Sequence, residues 1–217
     1  MTDDADRIQE RSVDSLEQIY AVVIALAIAQ AVEVLLKDPA RGVVLQCGQI
    51  LVGLPAFVAF LVTLVPFWHG MNRHLDRCYL EKKTGVVQGA LLADFATFFL
   101  EASLLFAAGW SLRSGIYSFI ALGLLLLVDT IWSFISHKIH FPARKSHVGK
   151  WFAINLVAIV IAIILVAYPV EPRKIILMVI AIIRSIVDYW LCWHFYFPGT
   201  GDLEKSYSRS STDALQV

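Results

Sequence analysis

Apolar residues along this chain come in long uninterrupted blocks, separated by short polar stretches. About six of these blocks reach the roughly 20 residues a helix needs to cross ~30 Å of hydrocarbon. They lie at 17–36, 44–68, 87–110, 116–136, 151–170 and 174–196. The links alternate in length. Residues 37–42, 111–115 and 171–173 are short connections, whereas 69–86 and 137–150 are longer polar loops. That alternation predicts an all-α polytopic membrane protein, its helices arranged as three hairpins. Residues 1–16 read as a polar N-terminal segment, 17–197 as a six-helix transmembrane domain, and 198–217 as a flexible tail rich in turn formers.

Lysine and arginine set the expected orientation. The two longer loops hold Arg73, Arg77, Lys82, Lys83, Lys138, Arg144, Lys145 and Lys150, and the two ends of the chain add Arg7, Arg11, Lys205 and Arg209. The opposite side has Lys37, Arg41, Arg113, Arg173 and Lys174. The positive-inside rule then places both termini and both longer loops in the cytoplasm, in a bacterial-type inner membrane. Trp68, Trp132, Trp151, Trp190, Trp193 and Tyr196 fall near the cytoplasmic helix ends, and Trp110 and Tyr168 near the far ends. Such residues form the belts that anchor helices at the interface.

Composition supports the membrane reading. Apolar residues make up 58% of the 217-residue chain and charged ones 17%, against about 45–50% and 25% in soluble domains. The formal net charge of zero and the lack of a basic stripe speak against a nucleic-acid partner. The 3 cysteines form no C-x-x-C; Cys78 and Cys192 are expected on the cytoplasmic side and Cys47 toward the other, which speaks against a disulfide framework. No P-loop, Rossmann or nucleophile-elbow motif occurs.

The most informative residues are those that lipid should reject. A charge near the bilayer centre costs about 2.5–3.5 kcal/mol on insertion scales. Asp94 and Glu101 nevertheless stand in the third helix, Asp129 in the fourth, and Arg184 and Asp188 in the sixth. Asp94, Asp129 and Asp188 lie at similar depth, roughly 10–14 Å from a cytoplasmic helix end, and could form one acidic layer. Glu101 and Arg184 are deeper. Arg184 can pair with Asp188 on its own helix face or with Glu101 across a helix contact. The acids outnumber the one base, which favours a cation or proton as the species handled.

His69, His74, His137, His140 and His194 gather near the same helix ends. They could modulate the mouth of such a path by protonation. An alternative makes these five histidines the ligands of a metal ion or haem in a membrane-embedded enzyme. A third reading is a non-catalytic subunit of a membrane complex. The leading expectation needs no cofactor.

In the first helix, Ala21, Ala25 and Ala29 recur every four residues and offer a small face for close helix contact. The run SLEQIYAVVIALAIAQAV that contains them, with FVAFLVTLVPFWHGMNRHLD and KKTGVVQGALLADFATFFLEASLL further on, resembles the first three helices of the endolysosomal potassium-channel family and its six-helix bacterial relatives. The R-x-x-x-F-S-D signature of that family is absent. The corresponding place reads Leu16, Glu17, Gln18. The resemblance implies a homo-oligomeric, potassium-type cation channel, with Val23 and Ile24 as the aliphatic constriction of a pore lined by the first helix.

Overall fold

The computed structural model describes residues 2–37, 44, 47–80, 89–140, 148–168 and 172–198, with backbone alone at 2–6, 137–140 and 148. The expected tail from 199 onward lies outside the described residues. The described residues are helical, apart from turns and an isolated bridge between Lys37 and Val44. The long helices are α1 (Thr2–Leu36), α2 (Cys47–Leu75), α3 (Ala90–Trp110), α4 (Ile116–His140), α5 (Val148–Ala167) and α6 (Arg173–Leu191), followed by the short α7 (Trp193–Tyr196).

Five of them, α1 to α5, are long and apolar enough to cross a membrane. The sixth carries Arg173, Lys174, Arg184 and Asp188 within its 19 residues, and these charges break its apolar run. Where its charges go is clear from burial: Arg184 is 4% and Asp188 0% exposed, while Ile175, Val179, Ile183, Ile186 and Trp190 face outward. The other helices show the same inversion, with Leu92, Phe99, Leu124, Ile131, Val157 and Ile163 exposed on the outside. Exposed apolar surface on this scale is what lipid covers.

The helices form a ring in the order α1, α3, α4, α5, α6, α2, closed by contact between α2 and α1. α2 also reaches α3 and α4. The chief partner of α1 is α3 rather than its hairpin neighbour. The contact face of α1 differs from the alanine stripe expected above. Val13, Tyr20, Ile24, Ala27, Ala31 and Val34 are buried, while Ala25 and Ala29 are exposed. The buried set follows the alternating three- and four-residue spacing of a coiled-coil seam. Approach is closest at Gly109 of α3, where an added Cβ would lie 3.0 Å from the Ala27 carbonyl oxygen and 3.2 Å from Ala31 Cβ.

Two helix boundaries depart furthest from the sequence expectation. α1 begins at Thr2, not near residue 17. The polar stretch lacks proline and glycine and places Val13 on the buried face, while Gln9 donates a side-chain hydrogen bond to the Tyr79 carbonyl. α2 runs past residue 68 to Leu75 and continues as a π-helical turn, Asp76–Leu80.

α2 contains Pro55 and Pro66. Proline cannot donate to the carbonyl four residues back, so Pro66 frees the Val62 oxygen. Ser185 of α6 donates its hydroxyl to that oxygen at 2.6 Å. In lipid such a freed carbonyl must be met by protein, and this bond locks α6 on α2. Ser185→Ala is expected to cost about 1–3 kcal/mol by leaving the carbonyl unmet. Chemical unfolding in micelles would measure this, and a loss near zero would show the carbonyl to be satisfied otherwise.

The α3–α4 connection is a 3-10 turn at Leu112–Ser114 followed by Gly115 at φ 63°. Lys174 lies across it, with Cε 2.6 Å from where a Cβ would stand. The backbone angle favours glycine here, and a Cβ would also displace the end of the Lys174 side chain.

Candidate functional site

All five charged residues singled out from the sequence are buried within the ring. Asp94 and Asp188 are 0% exposed, Glu101 2%, Arg184 4% and Asp129 5%. They belong to two hydrogen-bonded arms, with Glu101 between them.

The first arm joins the end of α2 to the start of α3. Tyr79 donates its hydroxyl to Asp94 Oδ2 at 2.6 Å, and His74 Nε2 stands 3.1 Å from the same oxygen. Cys78 Sγ lies 3.6 Å from His74 Nε2. The π-helical turn supplies this geometry. It keeps the backbone coiling inward after α2, so that Cys78 and Tyr79 are both buried. Single π turns often mark functional sites.

The second arm ties together α4, α5 and α6. Asn155 of α5 donates Nδ2 to Asp129 Oδ2 at 2.7 Å. The Asn155 Oδ1 accepts from Arg184 Nε at 3.1 Å and from Nη2 at 2.8 Å. Arg184 Nη2 lies 3.5 Å from Asp188 Oδ2, which also accepts the Tyr196 hydroxyl at 3.1 Å. The guanidinium sits 5.4 Å from the centre of the Phe67 ring, within range of a cation–π contact. Of the two pairings open to Arg184, the structure uses the one within its helix.

Glu101 stands between the arms, in electrostatic range of Asp129, His74 and Asp94. Its Oε1 is enclosed and has no hydrogen-bond partner among the described residues. The buried Tyr20 hydroxyl of α1, likewise unpartnered among them, lies in range of Glu101 and Asp129. Beyond Glu101, toward the 3-10 turn, the interior becomes apolar: Ala102, Leu105, Ala108, Leu112, Leu122 and Leu125 are all buried. The Ser118 hydroxyl there is given to the Ala108 carbonyl at 2.9 Å. The polar network thus runs from one end of the bundle to its middle and stops at a leucine layer.

The histidines do not act as one group. His74 joins the first arm. His69 packs near the second, with Nδ1 3.3 Å from the Tyr189 hydroxyl and its ring 4.9 Å from that of Tyr196. His194 is exposed. The side chains of His137 and His140 lie outside the described residues. Among the described residues, no three His, Cys, Asp or Glu side chains are grouped to hold a metal ion. Ile24 is buried and Val23 half-buried against the core of the same subunit. The outward face of α1 carries Val22, Leu26 and Val32 instead.

Sequence reasoning missed Asn155, Tyr79, Tyr20 and Ser185, and read Tyr196 only as an anchor. Asn155 had a signal, as an amide within the otherwise aliphatic stretch of α5 from Phe152 to Ala167. The interfacial aromatics divide. Trp110, Tyr168, Trp190 and Trp193 are exposed, as anchors should be, whereas Tyr196 is buried and Trp68, Trp132 and Trp151 are partly buried.

No protein-family model matches the chain, and no curated protein or solved structure matches it significantly.

Proposed function

We propose that this chain is an inner-membrane protein that moves a cation or proton along its buried carboxylates, within one subunit. In this reading α6 is the sixth span, its charged face turned to the interior, and both termini are cytoplasmic. The observation that carries the reading is the convergence of Asp94, Glu101, Asp129 and Asp188 from three helices on one enclosed interior. A bundle that needed only packing could fill that space with leucine, at lower desolvation cost.

Asp94 and Asp188 stand nearest the cytoplasmic end, Asp129 is next, and Glu101 is innermost. His69 and His74 sit where the network meets the cytoplasmic end. The leucine layer beyond Glu101 is the barrier that must part for an ion to complete the crossing. The path lies inside the ring, so no second copy is required to enclose it.

The test is ion flux in proteoliposomes under separate potassium, sodium and proton gradients. Wild-type protein is expected to carry flux, and Asp94→Asn, Asp129→Asn and Asp188→Asn each to reduce it. Flux that survives all three substitutions would sink the carboxylate path.

Orientation has its own check. Cys47 is exposed at the start of α2, while Cys78 and Cys192 are buried. With both termini cytoplasmic, a membrane-impermeant maleimide added to intact cells is expected to label Cys47 alone. Labelling that appears only after the cells are opened would reverse the topology.

A further inference from the structure

We propose that the ion handled by this site is the proton, and that Arg184 is the group that excludes metal cations. This assignment rests on the network being an ion path, and three features of the network carry it.

The first is ligand number. A calcium ion takes about six to eight oxygen ligands, and potassium filters use rings of carbonyls. Here Asp94, Asp129 and Asp188 are each held by a different set of protein donors, and two of those sets also include His74 or Arg184. Asp94 has the Tyr79 hydroxyl, Asp129 the Asn155 amide and Asp188 the Tyr196 hydroxyl. Among the described residues nothing gathers the acids around a common point. A proton needs one acceptor atom, not a cage.

The second is Glu101. Its side chain is 2% exposed, and Oε1 has no hydrogen-bond partner among the described residues. It is faced by Tyr20 from α1, His74 from α2, Asp129 from α4 and Asp94 on its own helix. A buried carboxyl oxygen with no donor violates the usual satisfaction of buried polar groups. An added hydrogen is the one cation that fits against an oxygen already enclosed by side chains.

The third is Arg184. Its guanidinium is fixed by Asn155 of α5, Asp188 on its own helix and the Phe67 ring of α2, with Asp129 of α4 in range. A metal ion entering here meets a permanent like charge in a low-dielectric interior, where repulsion is strong. A proton bonds to a single carboxylate oxygen and needs no coordination shell beside Arg184, whereas a metal ion would have to keep several oxygen ligands there. The groups between the bundle end and its middle can all exchange protons: His69, Tyr189, Tyr196 and Asp188 on one arm, His74, Tyr79 and Asp94 on the other, then Asp129, Tyr20 and Glu101. Each transfer breaks one O–H or N–H bond and forms another, so no co-reactant is required.

The experiment uses full-length protein in proteoliposomes. Lumenal pH is followed by an entrapped dye with the membrane potential clamped, and potassium and sodium uptake are measured separately at equal pH without ionophore. Proton flux above that of protein-free vesicles is expected, with no uptake of either metal ion. Glu101→Gln, which keeps the side chain's shape, is expected to lower proton flux by at least about 100-fold. Arg184→Gln is expected to admit potassium, and Arg184→Lys to remain closed to it. Arg184→Gln that folds and stays closed to potassium overturns the excluding role of Arg184; if it fails to fold, Arg184→Met combined with Asp188→Asn, which removes the guanidinium and its buried partner together, carries the same test. Potassium or sodium uptake without proton flux overturns the proton assignment and leaves the ion path standing. Unchanged proton flux in Glu101→Gln overturns Glu101 as the innermost acceptor. Absence of all flux from folded protein overturns the ion path and the proton assignment together.

Discussion

Arg184→Ala is expected to destabilise the protein by about 3–5 kcal/mol, the cost of orphaning one member of a buried charge pair. Three partners lose their counterpart at once. Asn155 Oδ1 loses both of its donors, Asp188 loses the cation 3.5 Å from its Oδ2, and the Phe67 face loses its guanidinium. Asp188 is 0% exposed, so water cannot replace what is removed. The Tyr196 hydroxyl remains on Asp188, which limits the damage without neutralising the charge. Arg184→Ala combined with Asp188→Asn should recover part of the loss, because both charges leave together. The coupling between the two sites is expected at roughly 0.5–3 kcal/mol. Reversible unfolding in detergent would measure the four species. Strictly additive effects would mean that the two residues do not act as a pair.

Asn155→Leu is the second large effect expected. Interhelical hydrogen bonds in membranes average only about 0.6 kcal/mol, so a single amide would ordinarily matter little. Asn155 is different because both of its partners are ionisable and buried. Its Nδ2 serves Asp129, and its Oδ1 takes two donors from Arg184. Leucine fills a similar volume but leaves both groups unmet, at roughly 1–3 kcal/mol each or more where the group is ionised. It also cuts the hydrogen-bonded link from α4 to α6, so reduced flux should accompany the lost stability. A variant as stable as wild type would show that Asp129 and Arg184 find other partners when the amide is gone.

Much of this was legible in the sequence, because lipid makes its demands openly. Six apolar runs are visible, five of which form helices long and apolar enough to cross a membrane, and Asp94, Glu101, Asp129, Arg184 and Asp188 stand out because charge inside such runs is costly. Their inward orientation follows from the same cost. What stayed hidden depended on helix rotation and on contacts between distant segments. Ala21, Ala25 and Ala29 look like an interface because they are evenly spaced, yet α1 turns Ala27 and Ala31 toward α3. The seam from Val13 to Val34 was the better signal, since it combines burial of larger side chains with two small residues at the crossing. Tyr79 and Tyr196 lie beyond the expected cytoplasmic helix ends or at their edge, where an aromatic usually means an anchor. Their true role depends on a π-helical turn in one case and on a second short helix in the other. Pro66 announced a free carbonyl, but not that Ser185, on α6, would meet it. The extended start of α1 was obscured by its polarity, although nothing in it breaks a helix.

The central claim is that the buried acids move an ion and do not merely hold helices together. The most direct measurement is the flux of Asp129→Asn relative to wild type in proteoliposomes, read alongside the melting temperature of each. The amide keeps the side chain's size and can still accept the Asn155 hydrogen bond, so the fold should survive. The expected result is a melting temperature close to that of wild type with most of the flux gone. Full flux in the variant, or no flux in a stable wild-type preparation, would contradict the account.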